Sequence, residues 1–380
     1  MLSVNTNPTN MSGIKAKSKS YNSITLQWNK NTSATGYELQ KWDGKKWVSL
    51  TKIAKNSTTT YTVKSLKAST TYKYRIRAYK TIGKATQYSA YTATLSVNTN
   101  PSNMSGFKAK SKSYNSITLQ WNKNASATGY ELQKWDGKKW VSLTKISKNS
   151  TTTYTVKSLK ASTTYKYRIR AYKTIGKATQ YSAYSATLSV NTNPTNMSGF
   201  KAKSKTATSI TLQWNKNTSA TGYELQKWDG KKWVTLTKIS KNSTTTYTVK
   251  SLKASTTYKY RIRAYKTIGK ATQYSTYSAT LSVNTNPSNM SGFKAKSTAK
   301  TSVTLQWNKN TSATGYEIQK WNGKKWVTLT KISKNSTTTY TVKNLKAVTT
   351  YKFRIRAYKT IGKVTQYSSW SGTLTIKTKK

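Results

Sequence analysis

Two tryptophans flank an Asp-Gly-Lys-Lys turn in the stretch ELQKWDGKKWVSL at Glu38, and the arrangement returns at Glu131, Glu224 and Glu317. Indole and phenol rings can stack on sugars or nucleobases, while Lys and Arg hold anionic groups beside them. The candidate ligand residues of the first copy are Trp42, Lys45, Lys46, Trp47, Arg75, Arg77 and Tyr79. Later copies supply Trp135, Trp140, Arg168, Arg170 and Tyr172, then Trp228, Trp233, Arg261, Arg263 and Tyr265, then Trp321, Trp326, Arg354, Arg356 and Tyr358. Arg75, Arg77, Lys45 and Lys46 are the ones expected on a polyanion, and Trp42, Trp47 and Tyr79 on sugar rings. The same residues also have a purely structural use. Glu38 can pair with a neighbouring Arg, and guanidinium can stack on Trp or Tyr, each contact worth ~0.5–1 kcal/mol when exposed.

Catalytic sets are missing. The 380 residues contain no His and no Cys, which removes the commonest general base, thiolate nucleophiles and disulfides. Only 7 residues are acidic, and each repeat offers one Glu and one turn Asp, the latter replaced by Asn322 in the fourth copy. That supplies no carboxylate pair for glycoside hydrolysis, no calcium cage and no Ser-His-Asp set. The chain is read as non-enzymatic and without cofactor or metal.

Charge points to partners. Against the 7 acids stand 67 Lys+Arg, a net charge of +60. About +15 per repeat is well beyond what solubility asks for. Such a surface attracts teichoic acid, acidic polysaccharide or nucleic acid. Glycans and lateral self-association are further partners to weigh. No apolar run approaches the ~18 residues of a membrane span, and the first residues do not read as a signal peptide.

The elements that must position these groups follow from a repeat. The only prolines are Pro8, Pro101, Pro194 and Pro287, 93 residues apart. They set repeats at 8–100, 101–193, 194–286 and 287–380, with 1–7 as the last strand of a preceding copy and the last repeat divergent. Repeats one and two differ at only five positions: Thr9/Ser102, Ile14/Phe107, Thr32/Ala125, Ala54/Ser147 and Thr92/Ser185. Within a repeat, alternation dominates. Ile24, Leu26 and Trp28 share a face, as do Tyr37 and Leu39, Val48 and Leu50, and Tyr72, Tyr74, Ile76 and Ala78. About seven short strands without a helical period predict an all-β sandwich. By the same parity Glu38, Gln40, Trp42, Trp47, Arg75, Arg77 and Tyr79 face outward, and Lys15, Lys17 and Lys19 line the outside of the opposite sheet.

An opening Pro, then SITLQW, GYEL and LKASTTYKYRIRA resembles the fibronectin type III domain over essentially the whole chain. Leu66 and Tyr72 match the family's tyrosine corner, repeated at Leu159/Tyr165, Leu252/Tyr258 and Leu345/Tyr351. Trp28, Trp121, Trp214 and Trp307 match its core tryptophan. The Lys-rich, Cys-free style is most similar to modules of Gram-positive surface and secreted proteins. The resemblance implies four tandem seven-stranded immunoglobulin-like sandwiches forming an elongated rod, outside the cell at its surface or wall. The absence of Arg-Gly-Asp leaves integrin binding unimplied. The expected role is a spacer or adhesive stalk that binds anionic envelope polymers. The alternatives are a carbohydrate-binding accessory of a polysaccharide-degrading enzyme and a sequence-nonspecific nucleic-acid-binding matrix protein.

Overall fold

The computed structural model describes residues 6–380, all strand, turn and loop. The expectation for residues 1–7 falls almost wholly outside this range. Two compact units divide the chain, one extending to Thr192 and the other spanning Asn193–Lys380. Each holds two copies of one sandwich.

In the first copy the strands are β1 (Lys15–Lys19), β2 (Ile24–Gln27), β3 (Gly36–Trp42), β4 (Trp47–Ile53), β5 (Thr60–Val63), β6 (Thr71–Ile82), β7 (Ala85–Tyr88) and β8 (Leu95–Asn98). The smaller sheet runs β1-β2-β5. The larger runs β4-β3-β6-β7, with β8 also paired to β6. All these pairings are antiparallel.

Alternation closes the core between the sheets. Ile24, Leu26, Tyr37, Leu39, Tyr74, Ile76 and Ala78 are fully buried, with Trp28 beside them. The Trp28 and Tyr37 rings meet edge to face at 5.5 Å, a contact worth about 0.5–1.5 kcal/mol beyond burial. The Tyr37 hydroxyl donates to the Asn56 carbonyl at 2.8 Å and accepts from the Asn31 N–H at 2.9 Å. At the corner before β6, the Tyr72 hydroxyl accepts the Lys67 N–H at 2.8 Å, and Tyr165, Tyr258 and Tyr351 do the same.

Three details depart from simple parity. The seven-strand expectation becomes eight segments because the last strand breaks between β7 and β8. Across the break, side-chain hydroxyls stand in for the strand's own carbonyls. Ser89 Oγ accepts the Ala78 N–H at 2.9 Å and Thr92 Oγ1 the Ile76 N–H at 3.2 Å. Second, β1 carries a bulge between Ala16 and Ser18, which puts Lys19 opposite buried Ile24 rather than in line with Lys15. Its amine reaches Gln180 of the second repeat at 2.5 Å. Third, a bulge where Leu39 and Gln40 face β4 leaves Leu50 unpaired. Leu50 and Ile53 pack on the core, whereas Val48 lies inward beside Lys41 without joining it.

Neighbouring repeats inside each unit are tied by short polar contacts. Ser69 Oγ donates to the Ser126 carbonyl, and Ser255 Oγ to that of Ser312, both at 2.6 Å.

One buried hydroxyl is unmatched. Tyr74, Tyr167 and Tyr260 have no partner for their OH among the described residues, and burial pushes these phenols well above their ordinary range. The fourth repeat has Phe353 at that place. An unmade buried hydrogen bond costs about 1–3 kcal/mol. Replacing all three tyrosines by Phe should therefore leave the thermal midpoint unchanged or raise it. A clear drop would show that the hydroxyls are partnered after all.

Candidate functional site

The outer face of the larger sheet carries the candidates, and its strands fix their order. β3 and β6 pair Glu38 with Arg77 and Gln40 with Arg75, while β3 and β4 pair Trp42 with Trp47. The hairpin loop is the four residues Asp43–Lys46. Asp43 Oδ1 accepts the N–H groups of both Lys45 and Lys46 at 2.8 Å. These bonds, Lys46 first, hold its carboxyl below the usual carboxylate range. Gly44 sits at φ 108°, a conformation suited to glycine. Asn322 closes the fourth hairpin identically, at 3.0 and 2.9 Å. The Asp is therefore a turn former, which agrees with its replacement by Asn.

From the hairpin a continuous stack crosses the sheet. Trp42 meets Trp47 edge to face at 5.5 Å. The Arg75 guanidinium lies between Trp47 at 4.5 Å and Tyr91 at 4.0 Å. That of Arg77 lies between Tyr91 at 4.5 Å and Tyr88 at 3.8 Å. Lys52 then bridges Tyr88 at 5.6 Å and Tyr79 at 4.4 Å. The edges of the guanidinium groups are used too. Arg75 Nε donates to Gln40 at 2.9 Å, and Arg77 Nε to Glu38 at 2.6 Å. The Tyr91 hydroxyl also donates to Glu38, at 3.1 Å. Burial, then the Glu38 charge, pushes the Tyr91 phenol up to about 12. Burial pushes the Glu224 carboxyl up, but the Tyr277 hydroxyl and Arg263 more than offset it and hold it low.

All four repeats build this stack. Arg168, Arg261 and Arg354 each lie 4.4 Å from Trp140, Trp233 and Trp326 respectively. Arg170, Arg263 and Arg356 bind Glu131, Glu224 and Glu317 at 2.7, 2.9 and 2.7 Å. In the fourth repeat Trp370 takes the place of Tyr91, at 4.3 Å from both Arg354 and Arg356.

Sequence parity brought Trp42, Trp47, Arg75 and Arg77 to one face, where the structure has them half-buried, with Lys45 and Lys46 exposed at the turn. Tyr79 differs. It is only 5% exposed, and Tyr172, Tyr265 and Tyr358 match it at 5–6%. The cause is Gly36, its cross-strand partner. With no side chain there, the Tyr79 ring folds into the gap, donates to the Ile53 carbonyl at 3.3 Å and is covered by Lys52. It is unavailable for sugar stacking. Sequence reasoning missed Tyr88 and Tyr91, because their three-residue spacing spans the break in the last strand and parity cannot be carried through it.

Two packed antiparallel sheets, a tyrosine corner and a core tryptophan, repeated in tandem, define a multi-domain array of immunoglobulin-like sandwiches. The family model for the fibronectin type III domain matches residues 6–94, 100–187, 192–280 and 286–373, and the chain belongs to that family. Exoglucanase B of Cellulomonas fimi is 31% identical over 295 residues, covering 74% of this chain and 26% of that protein. Endoglucanase B of Cellulomonas fimi is 26% identical over 276 residues, covering 66% of this chain and 25% of that protein. Titin of Drosophila melanogaster is 24% identical over 385 residues, 92% of this chain and 2% of that protein. The chain thus spans about a quarter of the length of either glucanase.

Proposed function

We propose that these repeats are a non-catalytic extracellular spacer that adheres to anionic polymers through its lysines. The observation that carries this reading is the fate of the acids. Glu38, Glu131, Glu224 and Glu317 each bind an arginine. Asp43, Asp136 and Asp229 each bind two backbone N–H groups of their own turn. All seven carboxylates are engaged locally, so the lysine charge is left largely uncompensated. The arginines, covered on both faces by rings, position the aromatic side chains. Polymer contact falls to exposed lysines such as Lys45, Lys46 and Lys73.

A second reading makes the array an accessory segment of a polysaccharide-degrading enzyme. The similarity to Exoglucanase B over 74% of the chain favours it. The match to Titin covers still more of the chain, so similarity follows the repeats rather than one catalytic setting. The two readings are compatible, since an accessory segment can also be a cationic spacer.

Lysine acetylation tests the first reading, because it removes the charge and keeps the rings. The full chain should co-sediment with long-chain polyphosphate at low salt, and the acetylated chain should stay in solution. Equal binding after acetylation sinks the polyanion reading. Binding to insoluble cellulose that survives acetylation would favour the accessory reading instead.

A further inference from the structure

We propose that the hairpin end of each stack is a subsite for one acidic sugar residue, a hexuronate unit of a polysaccharide, seated on Trp42 and its counterparts. The inference rests on the polyanion reading above and names the polymer class it would select.

The stack supplies the argument. Every ring between Trp47 and Tyr79 has a cation over it, but Trp42 ends the row. Its ring partner is Trp47, met edge to face. Such a pair occupies one side of a ring, so the indole keeps a face for a ligand. Beside it lies a depression of about 360 Å³ lined by Trp42, Trp47, Lys73, Thr94 and Ser96. That is the low end of ligand-site volumes, about 300–1,000 Å³.

The lining is complementary to a uronate. Lys73 and Ser96 are cross-strand neighbours on β6 and β8. Lys73, Thr94 and Ser96 are exposed, and among the described residues their side chains have no hydrogen-bond partner. One indole face suits the apolar face of a pyranose, one ammonium suits a carboxylate, and two hydroxyls suit the ring hydroxyls. The nearby acids do not compete, because Glu38 is bound to Arg77 and Asp43 is turned into its own loop. A nucleobase stacks on an indole as well, so single-stranded DNA is the competing probe in the test below. The corresponding positions are Trp135, Lys166, Thr187 and Ser189, then Trp228, Lys259, Thr280 and Ser282, then Trp321, Lys352, Thr373 and Thr375. The fourth repeat changes Ser to Thr and keeps the hydroxyl.

The test compares the full chain with two fourfold variants, using oligogalacturonate, cello-oligosaccharide, polyphosphate and single-stranded DNA as probes. The native chain should bind oligogalacturonate with a change in tryptophan emission. Trp→Ala at 42, 135, 228 and 321 should weaken that binding at least ~10-fold, since stacking is worth about 1–3 kcal/mol per ring. Polyphosphate affinity should change less than about twofold, because its phosphates need no ring. Lys→Gln at 73, 166, 259 and 352, which leaves the rings in place, should erase the preference for oligogalacturonate over cello-oligosaccharide. The subsite is overturned if the Trp variant binds oligogalacturonate as the native chain does, or loses polyphosphate equally. It is also overturned if the preference survives in the Lys variant, or if the Trp-dependent probe is DNA. Failure of the native chain to bind polyphosphate would instead overturn the polyanion reading itself.

Discussion

Raising monovalent salt from about 50 to 200 mM should weaken polyphosphate binding by the full chain about a thousandfold. The reason is counterion release: each phosphate neutralised by a lysine frees a condensed cation, and that gain shrinks as bulk salt rises. Six to ten contacts give losses of about 10³–10⁵ over this interval on duplex DNA, and somewhat less on a single-stranded polyanion. One repeat carries about +15, so six contacts lie within reach of a single sandwich. Titrations at several salt concentrations give the slope of log affinity against log salt. A slope near zero would mean that the lysines are not the contact surface.

Gly36→Ala should unfold the first repeat at markedly lower denaturant, with a loss of about 3 kcal/mol. A Cβ built on Gly36 lies 2.0 Å from the Ile53 carbonyl oxygen and 2.7 Å from the Tyr79 hydroxyl. The carbonyl belongs to the backbone of the neighbouring strand, so it cannot swing aside as a side-chain tip could. Relief requires either separating β3 from β4 or expelling the Tyr79 ring. Gly129, Gly222 and Gly315 meet Ile146, Ile239 and Ile332 at 1.9 Å, and the same change there should act alike. In guanidinium unfolding of the full chain, a separate early transition should emerge for one repeat in four. A curve superimposable on that of the native chain would refute this.

Much of this arrangement was legible in the sequence because strand alternation is a two-residue code. Ile24, Leu26 and Tyr37 read as core and are fully buried; Trp42 and Trp47 read as outward and pair across their hairpin. What stayed illegible lay wherever the chain leaves that code. The bulge in β1 moved Lys19 out of line with Lys15, and the break before β8 hid Tyr88 and Tyr91. Tyr79 shows a different limit. Parity gave its side of the sheet, but its burial depends on Gly36, a residue on another strand. A one-dimensional pattern carries direction, whereas cover is set by the cross-strand neighbour.

The stack has a consequence for how the chain comes to be folded. Tyr91 of the first repeat and Tyr184 of the second meet their arginines in nearly the same geometry, at 4.0 and 3.9 Å from Arg75 and Arg168. Nothing in those contacts tells a sandwich its own final strand from its neighbour's. Exchange of that strand between adjacent copies would satisfy the same bonds, and misassembly of this kind is a characteristic hazard of repeat proteins. Emergence from the ribosome one copy at a time removes the competitor, so refolding the intact chain from denaturant should be the less faithful route. Trp370, larger than the tyrosine it replaces, sets the last strand of the fourth copy apart from those of the other three.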